Sequence, residues 1–394
     1  MSSIFDEKIP RFNTACNKFD SIPKNGLPMD TIPMWVADMD FRAPQCVQDA
    51  LAEAVKFGIF GYGLVDESYY QAVRGWFLRR HNWEIQWEWM VHTPGSDAGL
   101  AAAVRCATNP GDAVMLMSPV YYPFYDVIRL NGRNLVDSPL NYDDGRYTMN
   151  FEDMEEKIKA NHVKLLLLCN PHNPVGRVWT VEELQKVGTL AEKYDLTVVS
   201  DELHSDFSYP GHPHTPFLKA CPNRLNRTVV CTAASKSFNL AGLRTSNIFI
   251  PGAELRAAFK EKLEAAAIRE PNMLGFIATK AAYNGGEQWF EECKAYIQGN
   301  LAYVRDFLKE NLPQIRLVEP ESTYVAWIDC TALGLNKEQL DDLILNKARI
   351  WLDTGSIFGE ASALFQRVVL ACPRSTVEEA MERLKEAVNS LANV

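Results

Sequence analysis

The chain has 394 residues, of which 47% are hydrophobic and 23% charged, so it can bury a large core and form two or three domains. Its net charge is −10 without any basic block, which argues against nucleic acid as a partner. Nine scattered cysteines form no C-x-x-C pair, no signal peptide is visible, and no apolar stretch approaches the roughly 20 residues that span a bilayer. These features predict a cytoplasmic protein with no membrane partner.

Short apolar runs alternate with helical patterns between residues 46 and 284. The runs predicted to form strands are residues 113–117, 163–169, 196–200, 228–232 and 247–250. They are almost wholly apolar rather than alternating, which is typical of strands covered on both faces of a parallel sheet.

Helices are predicted between these strands. Apolar residues from Val47 to Val55 repeat with a spacing of about 3.6 residues. Thr180 and Glu183 form a capping box before an amphipathic run, and residues 254–269 are rich in helix formers. This alternation predicts an α/β fold, with a large domain whose mainly parallel sheet is flanked by helices.

The pattern changes after residues 285–286, which are both glycine. A predicted helix at residues 289–312 is followed by a strand-like run at 324–329 and by a last helix capped by Thr376. We therefore expect a smaller α+β domain at residues 285–394, after a large domain at residues 46–284. Residues 1–45 are assigned to an N-terminal segment associated with the small domain.

One acidic and one basic residue follow predicted strands, at the sheet edge where ligands gather. Asp201 follows the run 196–200 and suits a carboxylate that ion-pairs with the ring nitrogen of pyridoxal phosphate (PLP). Its alternative role is a helix cap. Lys236 follows the run 228–232 and suits a Schiff-base amine, whereas a lone lysine is usually a surface charge. Ser235 before it and Arg244 after it can both bind a phosphate, which favours the cofactor.

Three further side chains follow other strands. Asn173 lies in an Asn-Pro-His-Asn-Pro-Val-Gly run after residues 163–169 and could contact the ring oxygen of the cofactor, although an ordinary turn would also explain it. Tyr121 and Tyr122 follow residues 113–117, where an aromatic ring could stack on the cofactor, the alternative being two core tyrosines.

A Thr-Pro-Gly-Ser-Asp-Ala turn at residues 93–98 precedes a helix, so its amides could hold a phosphate. His212 and His214 lack the i, i+4 spacing and the carboxylate cluster of a metal site. They are therefore interpreted as part of a polar loop, and no metal is expected.

Taken together, residues 170–176, Asp201, Lys236 and Arg244 resemble the signature of fold-type I PLP enzymes, the aspartate-aminotransferase superfamily. Other segments resemble its cystathionine β-lyase branch, also described as cysteine-S-conjugate or C–S lyases. These segments are residues 35–41, 121–124, 171–174, 201–204 and 235–242. The likeness extends over essentially the whole chain.

The resemblance implies cofactor-binding roles for matching residues. Lys236 would form the Schiff base, Asp201 would pair with the pyridinium, Tyr121 would stack on the ring and Asn173 would contact the ring oxygen. The remaining residues that the resemblance assigns to the cofactor are Ser96, Asp97, His204, Ser235, Arg244 and, from a neighbouring subunit, Tyr62.

The resemblance also implies a substrate side and an assembly. Arg367 would clamp the α-carboxylate of a small-molecule amino-acid substrate. Tyr122, which is also implied to assist the leaving group, would line the substrate side together with Asn173 and Ala37. The reach of Tyr62 into a neighbouring subunit implies a homodimer with active sites at the subunit interface.

The function expected from the resemblance is PLP-dependent α,β-elimination on cystathionine or another cysteine S-conjugate, giving a thiol, pyruvate and ammonia. Arg244 and the polar turn at residues 95–99 differ from the usual lyase pattern, and Arg244 is usual in aminotransferases. Transamination to a 2-oxo acid is therefore one alternative. A catalytically silent regulator that keeps the fold is another.

Overall fold

The structure is a computed structural model that describes residues 3–269 and 271–391. Its strands are β1 (Ile32–Pro33), β2 (Met90–Thr93), β3 (Ala113–Leu116), β4 (Asn134–Asp137), β5 (Asn141–Asp143), β6 (Arg146–Thr148), β7 (Leu165–Cys169), β8 (Thr197–Asp201), β9 (Thr228–Thr232), β10 (Ser246–Phe249), β11 (Arg316–Val318), β12 (Val325–Asp329), β13 (Ile350–Trp351), β14 (Asp353–Thr354) and β15 (Phe365–Val369).

The α-helices of the described residues alternate with these strands. They are α1 (Asn17–Lys24), α2 (Gln45–Phe57), α3 (Glu67–His81), α4 (Ser96–Ala107), α5 (Pro123–Arg129), α6 (Phe151–Asn161), α7 (Val181–Lys193), α8 (Phe217–Ala220), α9 (Ala234–Ser237), α10 (Ala253–Ala265), α11 (Met273–Gly285), α12 (Glu287–Asn311), α13 (Lys337–Asp341) and α14 (Arg374–Leu391). Within this part of the chain, no helix is long and apolar enough to cross a membrane.

A seven-stranded sheet in the order β2-β10-β9-β8-β7-β3-β4 forms the centre of the molecule. The pairs from β9 to β4 are parallel, and only β10 runs against its neighbours. β3, β7, β8 and β9 are buried along their whole length, because helices cover both faces. The predicted fold class is confirmed, and all five predicted strands are present with ends shifted by at most two residues.

Two strands of this sheet were missed by the sequence pattern. β2 contains a histidine and a threonine, and the edge strand β4 is only partly buried, so neither forms an apolar run. The last helix was predicted with Thr376 as its cap, which is wrong. α14 begins at Arg374, two residues before the expected cap. It begins there because the carbonyl of Pro373 accepts the N–H groups of Thr376 and Val377.

A second sheet lies in the C-terminal part of the chain, with the antiparallel order β11-β12-β15-β14. β1 pairs with β13 from the same part of the chain, which ties the N-terminal segment to it. The association of residues 1–45 with the small domain stays a prediction. The domain limits at residues 45 and 284 remain predictions.

The helix α2 leaves much of its apolar side uncovered. Val47 is buried against the core, but Val55 on the same helix is 59% exposed. Large apolar side chains stay exposed in the segment that follows, and we call residues 55–64 the exposed arm. Its exposed members are Val55, Phe57, Ile59, Phe60, Tyr62 and Leu64. An apolar segment of this kind is typical of a surface that another molecule covers.

Candidate active site

A cavity of about 690 Å³ opens at the carboxyl ends of the parallel strands, where such sheets place their ligands. Its size is within the range of small-molecule sites. All the site residues predicted from sequence line it, with the exception of Tyr62. These lining residues are Ala37, Ser96, Asp97, Tyr121, Tyr122, Asn173, Asp201, His204, Ser235, Lys236, Arg244 and Arg367. Their individual roles remain predictions.

Lys236 projects into the cavity from α9, the short helix that follows β9. Its Nζ donates a hydrogen bond to the carbonyl oxygen of Ala37 at 2.8 Å. Burial, helped by the positive charge of Arg367, lowers the pKa of this amine to about 8. A larger fraction of Lys236 is therefore uncharged near neutral pH than for an ordinary lysine, as imine formation requires.

Asp201 is the last residue of β8 and is buried at the floor of the cavity. Its carboxylate accepts a hydrogen bond from the N–H of Leu203, and no described residue forms an ion pair with it. Burial therefore raises its pKa to about 7, with a smaller contribution from the charge of Asp97. A buried carboxylate without a cation fits a ligand that brings its own positive charge, such as a protonated ring nitrogen.

The lining of the cavity also includes donors for an anion. Gly95 has φ of 93°, and the amides of Ser96 and Asp97 open the twelve-residue helix α4. A Cβ on Gly95 would lie 3.8 Å from Nε of Arg244, so this glycine and this arginine enclose one space. Asp97 suits a phosphate through its main chain only, because an ionised carboxylate would repel the phosphate.

His204 and Tyr121 both line the cavity. His204 is buried, and its Nδ1 has no hydrogen-bond partner. Burial lowers the pKa of His204 well below its usual value, so its imidazole is neutral. Burial raises the pKa of Tyr121 well above its usual value, so the phenol stays protonated. The unpartnered nitrogen and the aromatic ring both fit a planar, polar ligand such as PLP.

Arg367 comes from β15 and is almost fully buried. Its Nη1 donates to Oδ1 of Asn173 at 3.2 Å, which joins two of the predicted site residues. Its Nη2 donates to the carbonyl oxygen of Trp35 at 2.9 Å and to the carboxylate of Asp353. The ring of Phe358 lies 4.9 Å below the guanidinium carbon. The side chain is thus held firmly toward the cavity.

A four-residue segment was not recognised from sequence as a support of the site. We call residues 35–38 the strap. The carbonyl of Trp35 holds Arg367, and the carbonyl of Ala37 holds both Lys236 and the hydroxyl of Tyr324, each at 2.8 Å. These contacts use main-chain oxygen atoms, which no residue pattern reveals. Ala37 was expected on the substrate side, and in this structure it also holds the lysine.

Ion pairs anchor the strap to the N-terminal segment. The fully buried Lys18 lies 3.1 Å from a carboxylate oxygen of Asp40 and 3.6 Å from one of Asp38. Arg11 pairs with the same two carboxylates, at 2.7 Å for Asp38 and 2.5 Å for Asp40. The two cations balance the two anions, which is the condition for burying them.

Tyr62 does not reach the cavity of its own chain. It lies on the exposed arm, with 92% of its surface exposed. The expected contact with the phosphate site of a neighbouring subunit is therefore untested in a single chain.

Comparison with known proteins places the chain in a family. The profile of the aminotransferase class I and II family matches residues 31–384. The cystathionine beta-lyase PatB of Bacillus subtilis is 39% identical over 98% of this chain and 100% of its own length. Cystalysin of Treponema denticola, whose crystal structure contains a pyridoxal 5'-phosphate cofactor, superposes with a TM-score of 0.96 at 36% identity, covering 99% of this chain and 100% of that one.

A third similar protein is the PLP-bound C-S lyase of Staphylococcus hominis, with a TM-score of 0.91 and 32% identity over 98% of each chain. The chain belongs to the aminotransferase class I and II family. Within it, the resemblance to the cystathionine β-lyase branch that the motifs indicated is confirmed.

Proposed function

We propose that this protein is a PLP-dependent carbon–sulfur lyase. It catalyses α,β-elimination on cystathionine or another cysteine S-conjugate, giving a thiol, pyruvate and ammonia. One observation carries the proposal: a half-buried amine of lowered pKa, a buried carboxylate without an ion-pair partner and a buried arginine, namely Lys236, Asp201 and Arg367, line a single cavity. The full-length similarity to cystathionine β-lyases and C–S lyases supports this choice of reaction.

The residues of the cavity fit PLP, which when bound supplies an electron sink for the charge that develops at the substrate α-carbon. Lys236 would hold it covalently, and Asp201 would keep its ring nitrogen protonated. Asn173 and His204 suit the ring oxygen, and Tyr121 suits the ring face. Ser235, Arg244 and the amides of Ser96 and Asp97 would bind the phosphate.

The substrate is oriented by this chain's own side chains. Arg367 would bind the α-carboxylate, which fixes the direction of the Cα–H bond. Once its amine is free, Lys236 would remove the proton from Cα as a general base. Tyr122 lines the same cavity, and its phenol stays protonated because burial raises its pKa, so it can donate a proton to the departing sulfur.

Incubation of the purified holoenzyme with L-cystathionine, without any 2-oxo acid, tests the proposed reaction. We expect pyruvate and thiol in equal amounts, and loss of both products in Lys236→Ala. Lys309→Ala, which changes an exposed lysine on α12, is the matched control and should keep full activity. Turnover that requires an added 2-oxo acid would instead identify an aminotransferase. Bound cofactor without turnover of any cysteine conjugate would identify a silent regulator.

We also propose that the active form is a homodimer and that it works in the cytoplasm. The exposed arm supports the dimer, because it carries six large apolar side chains that a second copy could cover. It also carries Tyr62, which would complete the phosphate site of the partner. All nine cysteines are free thiols, which suits a reducing compartment.

A further inference from the structure

Arg367 reaches the cavity with its hydrogen-bonding capacity only partly used. Nη1 donates to Asn173, and Nη2 donates to both Trp35 and Asp353. Nε is buried and has no hydrogen-bond partner. Leaving a buried donor without an acceptor is costly. The Nε side of this guanidinium is therefore arranged for a ligand.

The geometry of the guanidinium limits how a carboxylate can bind there. A carboxylate binds most strongly when its two oxygens accept from two parallel N–H groups. The guanidinium has two such edges, Nε with Nη2 and Nη1 with Nη2, so both edges need Nη2. This nitrogen has two hydrogens, and Trp35 and Asp353 accept from it. A substrate carboxylate that binds through either edge must displace one of these two acceptors.

Asp353 is the acceptor that can move. The Trp35 oxygen belongs to the main chain of the strap, which also holds Lys236 and is fixed by the ion pairs of Lys18. Asp353 holds Arg367 with a side chain, directly across the antiparallel pair of β14 and β15. A rotation about its χ angles releases the guanidinium without moving either strand.

We propose that Asp353 is a positioning residue that occupies Arg367 in the resting enzyme and releases it to the substrate α-carboxylate while taking up one proton. The proton comes from solvent and forms an O–H bond on the Asp353 carboxyl group, and no other bond is made or broken. The inference rests on the proposed role of Arg367 as the carboxylate-binding residue.

The surroundings of Asp353 explain why it takes up a proton when it releases Arg367. Burial raises its pKa, and Arg367 is the charge that opposes this rise. When the substrate carboxylate takes over Arg367, that opposition weakens and a second anion arrives, so the pKa rises further. Among the described residues, the phenol of Tyr122, next to α5, is a further titratable group near Asp353, and its own raised pKa keeps it neutral. The aspartate is therefore left buried without a cation.

This exchange gives carboxylate binding a defined pH dependence. Affinity is highest where Asp353 is already protonated in the free enzyme. As the pH rises through that pKa, affinity falls by up to about tenfold per pH unit, until the pKa of the complex is passed. An asparagine at 353 has no charge to release, so its affinity should not change with pH in this way.

Calorimetric titration of the holoenzyme with 3-(methylthio)propanoate tests the inference, because this carboxylate has no amine and cannot react with the cofactor. Titrations at each pH unit from 5 to 9, in buffers of different ionisation enthalpy, count the protons taken up. For the wild type we expect a count that rises with pH to about one proton per site, and for Asp353→Asn no uptake at any pH. In the pH range where the wild type takes up the proton, the variant should bind the probe more tightly, by up to about tenfold for each pH unit above the pKa of Asp353 in the free enzyme.

The exposed Asp342→Asn is the matched control and should behave like the wild type in both measurements. No proton uptake in the wild type, or unchanged affinity in Asp353→Asn, overturns the inference. The proton count needs no variant, so the inference stays testable even if Asp353→Asn does not fold. Arg367→Gln separates the two proposals: if it still binds the probe, the role of Arg367 itself is wrong.

Discussion

Asp201 is buried and Lys236 is half-buried, and burial shifts their pKa values in opposite directions. It raises the pKa of the carboxyl group to about 7 and lowers that of the amine to about 8. In both cases the uncharged form is favoured. A bound cofactor with a cationic ring nitrogen and a carbonyl that condenses with an amine would relieve both penalties. The cavity is thus suited to its cofactor, and the protein without the cofactor is less stable for that reason.

The stability of the cofactor-free protein should reflect Asp201. Folding raises the pKa of Asp201 from about 4 to about 7. The contribution of Asp201 to the free energy of unfolding is therefore fully present below about pH 4 and is lost as the pH rises through about 7. At pH 8, Asp201→Asn should therefore unfold with a larger free energy than the wild type, by at most roughly 4 kcal/mol. Urea denaturation of the cofactor-free proteins at pH 5 and pH 8 measures the difference.

The same substitution should have the opposite effect on function. A neutral amide cannot keep a ring nitrogen protonated, so kcat should fall by about two to three orders of magnitude. Asp306→Asn, an exposed carboxylate on α12, serves as the control for both measurements. If Asp201→Asn is no more stable than the wild type at pH 8, then other groups of the protein stabilise the ionised carboxylate and this explanation is wrong.

Some site residues could be predicted from sequence and others could not. Asp201, Lys236 and Asn173 each follow a buried strand, so a local pattern indicates them. Asp353 lies on a two-residue strand, and its partner Arg367 is fourteen residues later, where only the pairing of β14 with β15 brings them together. Tyr324 likewise acts on a main-chain oxygen, which has no signal in the residue types.

The strap shows how an element of irregular structure is held in place. Asp38 lies within it and Asp40 two residues after it, and both pair with Lys18 and Arg11 from the segment around α1. The strap then offers carbonyl groups to Lys236 and Arg367. Its position therefore depends on a partly buried group of charges rather than on a β-ladder.

Asp40→Asn should weaken this anchor. The change leaves the fully buried Lys18 without its nearest carboxylate, and breaking a buried pair costs about 3 kcal/mol or more. We expect a lower free energy of unfolding in urea and a raised KM, because the acceptor of Arg367 shifts. Asp49→Asn, an exposed carboxylate on α2, is the control. Unchanged stability would mean that Asp38 alone balances Lys18.

At this scale the sequence predicts buried strands well and irregular segments poorly. β7, β8 and β9 are continuous apolar runs, so their position was predictable to within two residues. The strap has no hydrophobic period, and its ion pairs join residues that are 20 to 29 positions apart. Such contacts depend on the tertiary structure.

For the whole molecule, the exposed arm is the feature that a single chain does not explain. The helical pattern from Val47 predicted a buried face on α2, but Val55 and the residues after it are exposed. A second copy would bury this surface. Phe60→Asp should therefore give a monomer by light scattering, since it places a charge within the apolar contact.

A mixing experiment tests whether Tyr62 serves the partner. Tyr62→Ala and Lys236→Ala should each have little activity as homodimers. Unfolded together and refolded as a mixture, they should recover about one quarter of the wild-type activity, because half of the dimers contain one intact site. No recovery despite mixed dimers would show that Tyr62 acts within its own subunit or not at all. Lys309→Ala mixed with Lys236→Ala controls for refolding.

The strap has a consequence for how this enzyme tolerates sequence change. It binds Lys236 and Arg367 through main-chain carbonyl oxygens, which every amino acid has. Replacing side chains one at a time at positions 35 and 37 would leave both acceptors in place and understate the importance of the segment. Inserting or deleting a single residue there would misalign both at once, so the spacing of this stretch is under tighter constraint than its composition.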